Sequence, residues 1–208
     1  GKSSVASLVA ERLCGLRLDT GAIYRAVALA CTEAGVDWDD APGVTEVAKG
    51  LSLSFGSAGR LLMDGCERSR DIRGPKMSEG ASRVSVHPSL RSELLALQRA
   101  CAQRGFVVVE GRDIGTVVFP DAPLKLFLTA SVEARAQRRH QELRDKEGAI
   151  SLSSLVEEIR ERDRRDRERE VAPLRQAEDA VLVDSTSLSL EEVVGRIVSL
   201  ARERAEAL

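Results

Sequence analysis

The sequence predicts an α/β fold in which a parallel sheet is flanked by helices, and three observations predict it. FVVVEGRD at 106–113 carries a continuous β-branched run that suits a strand buried on both faces, and LKLFLTA at 124–130 and AVLVDS at 180–185 read the same way. Segments with apolar residues at helical spacing separate them, so successive strands return in the same direction through right-handed crossovers. The chain also opens on Gly1-Lys2-Ser3, the tail of the phosphate-binding pattern G-x-x-x-x-G-K-[ST], running straight into a helical pattern.

The elements follow in order. Residues 3–14 carry Val5, Leu8, Val9 and Leu13 at helical spacing, with Gly15 as a stop. A second helix is predicted over 22–34, ending at Gly35. Between 37 and 74 the composition changes: LSLSF and RLLMDG flank Gly56-Ser57-Ala58-Gly59, a hairpin signal, which predicts a small inserted subdomain with short antiparallel strands. Helices near 76–86 and 88–104 lead to the first long strand. The one charge run is ERDRRDRERE at 161–170.

Composition narrows the function. A chain of 208 residues, 43% hydrophobic, can bury one sizeable core. With 31 basic against 33 acidic residues, no global charge draws nucleic acid or an anionic membrane, so any anion site is local. Cysteines 14, 31, 66 and 101 form no C-x-x-C pair and read as reduced thiols of a cytosolic protein. No stretch reaches the roughly 18 apolar residues that span a bilayer.

Four clusters carry chemistry. A helix N-terminus offers free N–H groups and partial positive charge, so phosphate can sit at Gly1–Ser4 while Lys2 reaches it and Ser3 holds Mg²⁺. In LDTGAIYRA at 18–26, Asp19 and Thr20 suit a helix cap, but Arg25 one turn in can point back into a cleft above the strand ends. In VVVEGRDIGTVVFPDAP at 107–123, a strand delivers Glu110, Arg112 and Asp113 to the carboxyl edge of the sheet, where charges need partners. On a helix, Arg162, Arg165, Asp166 and Arg169 share a face, as do Arg135 and Arg139, and the excess of Arg over Lys suits bidentate phosphate contacts.

LDTGAIYRA, EGRDIGTVVFPDAP, RDRRDRERE and VAPLRQAEDAVLVDST together resemble the bacterial cytidylate kinases, over essentially the whole chain. The resemblance implies a P-loop kinase that transfers the γ-phosphoryl group of ATP to CMP or dCMP, with Mg²⁺, as a cytoplasmic monomer of pyrimidine nucleotide metabolism. It implies core segments at 1–36, 75–142 and 173–208, a nucleoside-monophosphate-binding insert at 37–74 and a lid at 143–172. Arg25, Arg112 and Arg169 would hold the CMP phosphate, Arg162 and Asp166 its sugar and phosphate, and Ser82, Arg91 and Asp113 the cytosine. Thr20 stands where the family often has Ser and keeps the hydroxyl. Gly1, Lys2, Ser3, Ser4, Arg135, Arg139 and Arg165 fall to the ATP side, with Lys2, Arg112, Arg162 and Arg165 as catalytic residues. Asp19 and Glu110 are candidates to hold Mg²⁺ through water. His87 and His140 lie in no motif and read as structural or solvated.

Two other readings stay open at this point: a kinase of the same fold acting on shikimate, UMP or AMP, and a non-catalytic nucleotide-binding protein. The first half of the phosphate loop does not precede Gly1. A further expectation is therefore an apolar strand and Gly-rich loop of roughly ten to twenty residues, the strand central in the sheet, without which ATP binding and folding are weak.

Overall fold

Val5 and Val9, with Ala6 and Ala10, place a buried stripe along the first segment and wind it into α1 (Lys2–Arg12). The computed structural model describes residues 1–56, 59–102, 105–143 and 151–207. The expected turn residues 57–58, the end of the predicted 88–104 helix at 103–104 and the first part of the predicted lid, 144–150, lie outside these.

After α1 come β1 (Leu16–Asp19) and α2 (Thr20–Ala34), which ends on Gly35 at φ 70, a left-handed cap that glycine adopts without strain. β1 is not among the strands predicted from the sequence. The inserted segment holds α3 (Ala41–Gly50), also unpredicted, and three strands, β2 (Leu53–Phe55), β3 (Leu61–Met63) and β4 (Cys66–Glu67), in antiparallel order β2-β3-β4. α4 (Pro75–Val84) and α5 (Pro88–Cys101) each begin on proline, whose missing N–H costs nothing at a first helical position.

β5 (Val107–Glu110) pairs in parallel with β1, Leu16 against Val107 and Asp19 against Glu110. A one-turn π-helix (Ile114–Val118) follows. β6 (Leu126–Thr129) pairs in parallel with β7 (Val181–Asp184), Thr129 against Asp184. Between the two lie α6 (Val132–Leu143) and α7 (Leu152–Glu168), the latter capped by Ser151 accepting from the Ser154 amide. α8 (Leu190–Glu206) starts on a capping box in which Ser189 and Glu192 each satisfy the other's backbone N–H.

The architecture is the expected α/β one, with parallel strands flanked by helices and a small antiparallel sheet. It differs from expectation in how the parallel strands are covered. β1–β5 and β6–β7 are separate two-stranded sheets, so each strand has one unpaired edge among the described residues. β5 and β6 are accordingly half-buried along most of their length.

Two cores form. Val5, Val9, Val183, Val193, Val194 and Ile197 join α1 and α8 to β7, with Leu126 and Leu128 packed on them. The larger core joins Val27 of α2, Val44 of α3, Leu53 and Leu61 of the inserted strands, Val84 of α4 and Leu90 of α5. Gly80 lets α4 approach closely: a Cβ there would meet Ala28 Cβ and the Trp38 ring at 2.8 Å. His87 is buried, its Nε2 2.7 Å from the Trp38 carbonyl oxygen, which is a structural use of that side chain. All four cysteines are free.

Candidate active site

The pairing of β1 with β5 puts Asp19 beside Glu110, and the chain beyond each strand turns into charge-bearing segments. Thr20 opens α2 and donates its hydroxyl to the Glu110 carbonyl oxygen at 2.9 Å. This seam requires glycine at 111, where a Cβ would lie 2.5 Å from Thr20 Oγ1 and as close to Ile114. Arg112 and Asp113 therefore leave the strand at fixed positions.

Glu110 is the hub of one end of the site. Lys2 Nζ lies 3.2 Å from its Oε2, Ser3 Oγ donates to Oε2 at 3.0 Å, and Arg17 Nε donates to Oε1 at 2.8 Å. Arg17 also reaches Asp19 Oδ2 at 3.3 Å, and Arg25 donates to the same oxygen at 2.8 Å. Asp19 occupies the N-cap position of α2 without a side-chain capping bond, because its carboxylate is spent on these arginines. Burial by itself would raise the Asp19 carboxyl; Arg25, then Lys2 and Arg17, overcome it and hold the group below the usual carboxylate range. Burial pushes the Lys2 ammonium below the usual lysine range despite the pull of Glu110 and Asp19. The Gly1 backbone nitrogen lies 4.0 Å from the Glu142 carboxylate, and Ser4 is exposed on α1.

The other end is built from α4, α5 and the segment after β5. Arg91 and Asp113 form a hydrogen-bonded ion pair with both side chains 7% accessible. Arg91 Nη1 also donates to the Ser85 carbonyl oxygen at 3.1 Å, and its guanidinium lies 5.4 Å from the Tyr24 ring centroid. Arg169 Nη2 approaches Asp113 Oδ1 at 3.6 Å while its Nε donates to the Ala172 carbonyl oxygen at 2.7 Å. Ala172 has φ 52, a left-handed conformation that strains a residue with a Cβ. A cavity of about 140 Å³ opens between Tyr24, Arg91, Asp113, Val118 and Ala172. The Ser82 hydroxyl is buried without a hydrogen bond.

α7 closes the middle. Arg112 Nε donates to Asp166 Oδ2 at 2.7 Å, and Arg162 and Arg169 each stand 4.0 Å from Asp166. Desolvation first, then the charges of Arg112, Arg25 and Arg139 outweighing Asp166, push the Arg162 guanidinium down to about 10. Four arginine nitrogens here are buried with no hydrogen bond: Arg139 Nε, Arg162 Nε, Arg165 Nε and Arg169 Nη2. Unsatisfied buried donors are costly, and a cluster of cationic ones is a site shaped for anionic oxygens.

Arg25, Arg112, Arg139 and Arg162 are thus brought together, and Arg91 and Asp113 line the smaller cavity with Arg169 beside Asp113, whereas Ser82 of α4 is not among the residues lining it. Arg135 is not among them. It makes a two-pronged bond to Asp163 of α7 at 3.0 and 2.6 Å and lines a larger cavity of about 410 Å³ that touches no other predicted residue. Arg165 is 3.9 Å from Glu161, and close enough to the inserted segment to reinforce the Arg83 bond that lowers the Asp39 carboxyl. Sequence reasoning missed Arg17; its signal was the period-2 spacing to Asp19, which places both on one face of β1. It also missed Arg138, which donates to the Ser185 carbonyl oxygen at 2.5 Å and fixes the loop before α8.

Among the described residues no group of three or more His, Cys, Asp or Glu could hold a metal, and no helix is long and apolar enough to cross a membrane.

The chain was compared with known proteins. The family model described as cytidylate kinase matches residues 1–203. A cytidylate kinase of Geobacter sp. (strain M21) is 46% identical over 207 residues, covering 98% of this chain and 89% of that protein. One of Stutzerimonas stutzeri (strain A1501) is 46% identical over 209 residues, covering 98% and 91%. One of Pseudomonas aeruginosa (strain LESB58) is 47% identical over 203 residues, covering 95% and 89%. A match of this length, on a fold whose strand ends gather cations around buried carboxylates, means that the chain belongs to the cytidylate kinase family.

Proposed function

We propose that this chain transfers the γ-phosphoryl group of ATP to CMP or dCMP, giving ADP and the nucleoside diphosphate. The observation that carries the reading is Arg162, buried among the charges of Arg25, Arg112 and Arg139, with its own Nε and that of Arg139 lacking hydrogen bonds; Arg165 and Arg169 of the neighbouring segment each carry a further buried nitrogen without one. A phosphoryl acceptor carries two negative charges and must approach a triphosphate, so a surplus of fixed cations is what the chemistry needs. Transfer of this kind asks little covalent work of the protein; alignment and charge stabilisation dominate.

Arg25, Arg112 and Arg169 take the CMP phosphate in this reading, and Arg162 and Asp166 its sugar and phosphate beside the Thr20 hydroxyl. Arg91, Asp113 and the unpartnered Ser82 hydroxyl read the cytosine. Lys2, Ser3, Ser4 and Gly1 face the ATP phosphates, with Arg139 and Arg165 joining from α6 and α7. Arg135 belongs to the ATP side only if it leaves Asp163. The donors near Glu110 suit Mg²⁺ chemically: the Ser3 hydroxyl touches the Glu110 carboxylate, and Asp19 on the paired strand adds a second carboxylate, all hard oxygen ligands. Ser3 would hold the ion directly, and Glu110 and Asp19 through water. Mg²⁺ supplies neutralisation of charge on the phosphate oxygens. The segment 37–74 serves as the nucleoside-monophosphate insert and 143–172 as the lid. We take the chain as a cytoplasmic monomer, the location in keeping with its four free cysteines.

A coupled assay of ADP release with CMP, dCMP, UMP and AMP tests the proposal. Turnover with CMP and dCMP well above UMP and AMP is the expected result, and turnover confined to AMP or UMP overturns it.

A further inference from the structure

We infer that Arg99 of α5 is a specificity-positioning residue, holding the turn that presents Asp113 so that its carboxylate meets the base. The inference rests on the reading above, in which Asp113 and Arg91 read cytosine.

Asp113 sits immediately before the π-helix Ile114–Val118, and its carbonyl oxygen accepts from the Val117 and Val118 amides at 2.9 and 3.3 Å. Its backbone is therefore the first post of a single wide turn. Such a turn is an uncommon geometry, frequent at functional sites, and its last carbonyls have no partners within it. Arg99 supplies them. Its Nε donates to the Val118 carbonyl oxygen at 2.9 Å and its Nη2 to that of Val117 at 3.0 Å. The planar guanidinium meets two adjacent carbonyls with two parallel donors, a fit that the single ammonium of lysine does not reproduce.

The same helix carries the other half of the pair. Arg91 lies about two turns before Arg99 on α5. The intervening Gln98 donates to the Tyr24 hydroxyl at 3.2 Å, with the Tyr24 ring beneath the Arg91 guanidinium. α5 thus holds Arg91 directly and Asp113 through Arg99, so one rigid element sets the separation of the two groups. A small shift in either would misalign donors and acceptors against the base, where discrimination depends on geometry.

The test is a cycle of kcat/KM measurements with CMP and UMP on the wild-type enzyme, Arg99→Met, Asp113→Asn and the double variant. Arg99→Met is expected to lower the preference for CMP over UMP by about tenfold to a hundredfold, mainly through KM for CMP. In the Asp113→Asn background the same change should leave that preference unaltered. Equal losses for CMP and UMP, or an effect that persists undiminished without Asp113, would overturn the inference and leave Arg99 a stability residue. Should Arg99→Met fail to fold, Arg99→Lys keeps the charge and bulk, and its preference ratio decides by the same criteria. A wild-type enzyme with no preference for CMP overturns the functional reading and this inference with it, and that outcome is visible without any variant.

Discussion

Arg112 Nε donates to Asp166 Oδ2 at 2.7 Å, which ties the residue pair after β5 to the helix α7 across the site. Asp166 is 5% accessible and its other neighbours, Arg162 and Arg169, stand back at 4.0 Å. Both partners are proposed to meet the nucleotide, so the bond that links the end of β5 to α7 is, in that reading, also one that substrate must rearrange.

Replacing Arg112 by Ala removes a charge-assisted phosphate contact worth roughly 1.5–3 kcal/mol, more if its partner is left buried and unpaired. The expected outcome is a fall in kcat/KM for CMP of at least about tenfold with the fold retained. Near-normal turnover would show that Arg112 does not hold the phosphate.

Arg162→Met should raise the stability of the ligand-free protein while abolishing efficient turnover. The guanidinium is pushed down to about 10 because burial and neighbouring arginines disfavour its charge. Below that pH the folded state carries the penalty, and it fades only as the pH rises through the folded value toward the ordinary arginine range. With 35% of the side chain accessible, solvent screens the cost to about 1 kcal/mol. Thermal melts at neutral pH, with and without CMP, check this: the wild type gains more from CMP than the variant does, and a variant that melts lower than wild type without ligand refutes it.

Asp113→Asn should hurt CMP far more than UMP. Cytosine offers a 4-amino donor to a carboxylate, whereas uracil presents an acceptor there, and mismatches at such sites cost on the order of 10⁴ in specificity. The variant also leaves Arg91 and Arg169 short of a counter-charge, so its melting temperature is measured alongside. Equal losses on both substrates point to a structural carboxylate.

The acid limb of stability should depend on Asp19. Its folded value lies below the ordinary 3.8, so the bonds to Arg25 and Arg17 contribute fully above that pH and are lost as pH falls through the depressed value. Melting temperature measured from about pH 5 downward should fall more steeply for wild type than for Asp19→Asn. Parallel curves would mean that another carboxylate governs acid unfolding.

How much of this was legible follows from how far each signal reaches along the chain. β5 announces itself through its run of three valines, β6 and β7 through continuous apolar runs, and α2 through its Gly35 cap. β1 does not, because LRLD is four residues long and its charges at alternate positions read as loop and cap. α3 is masked by Pro42, Gly43 and Gly50; its readable trace is Asp40, whose side chain accepts from the Gly43 amide. Within the site, Arg25, Arg112, Asp113 and Arg162 stand in local motifs that suggest charge chemistry one at a time. That Arg135 bonds Asp163 while Arg139 lies close enough for its charge to act on Arg162 is decided by the docking of α6 on α7, which spacing along either helix does not contain.

The seating of Gly80 against Ala28 and Trp38 has a mechanical consequence. α2, α3, α4, α5 and the strands β2 and β3 share one apolar core, so half of the cleft behaves as a stiff jaw that cannot yield piecemeal. α7 is fastened differently: Leu155 is its one fully sealed apolar side chain, Val156 and Ile159 are half-buried, and ion pairs from Asp163 and Asp166 supply much of the rest of its grip. Compliance is therefore concentrated in that helix, and the work of enclosing a nucleotide falls on charges that the nucleotide itself rearranges. Hydrogen exchange slowed by CMP and an ATP analogue along 151–169, against little change along α4 and α5, is the signature of one moving jaw closing on a fixed one.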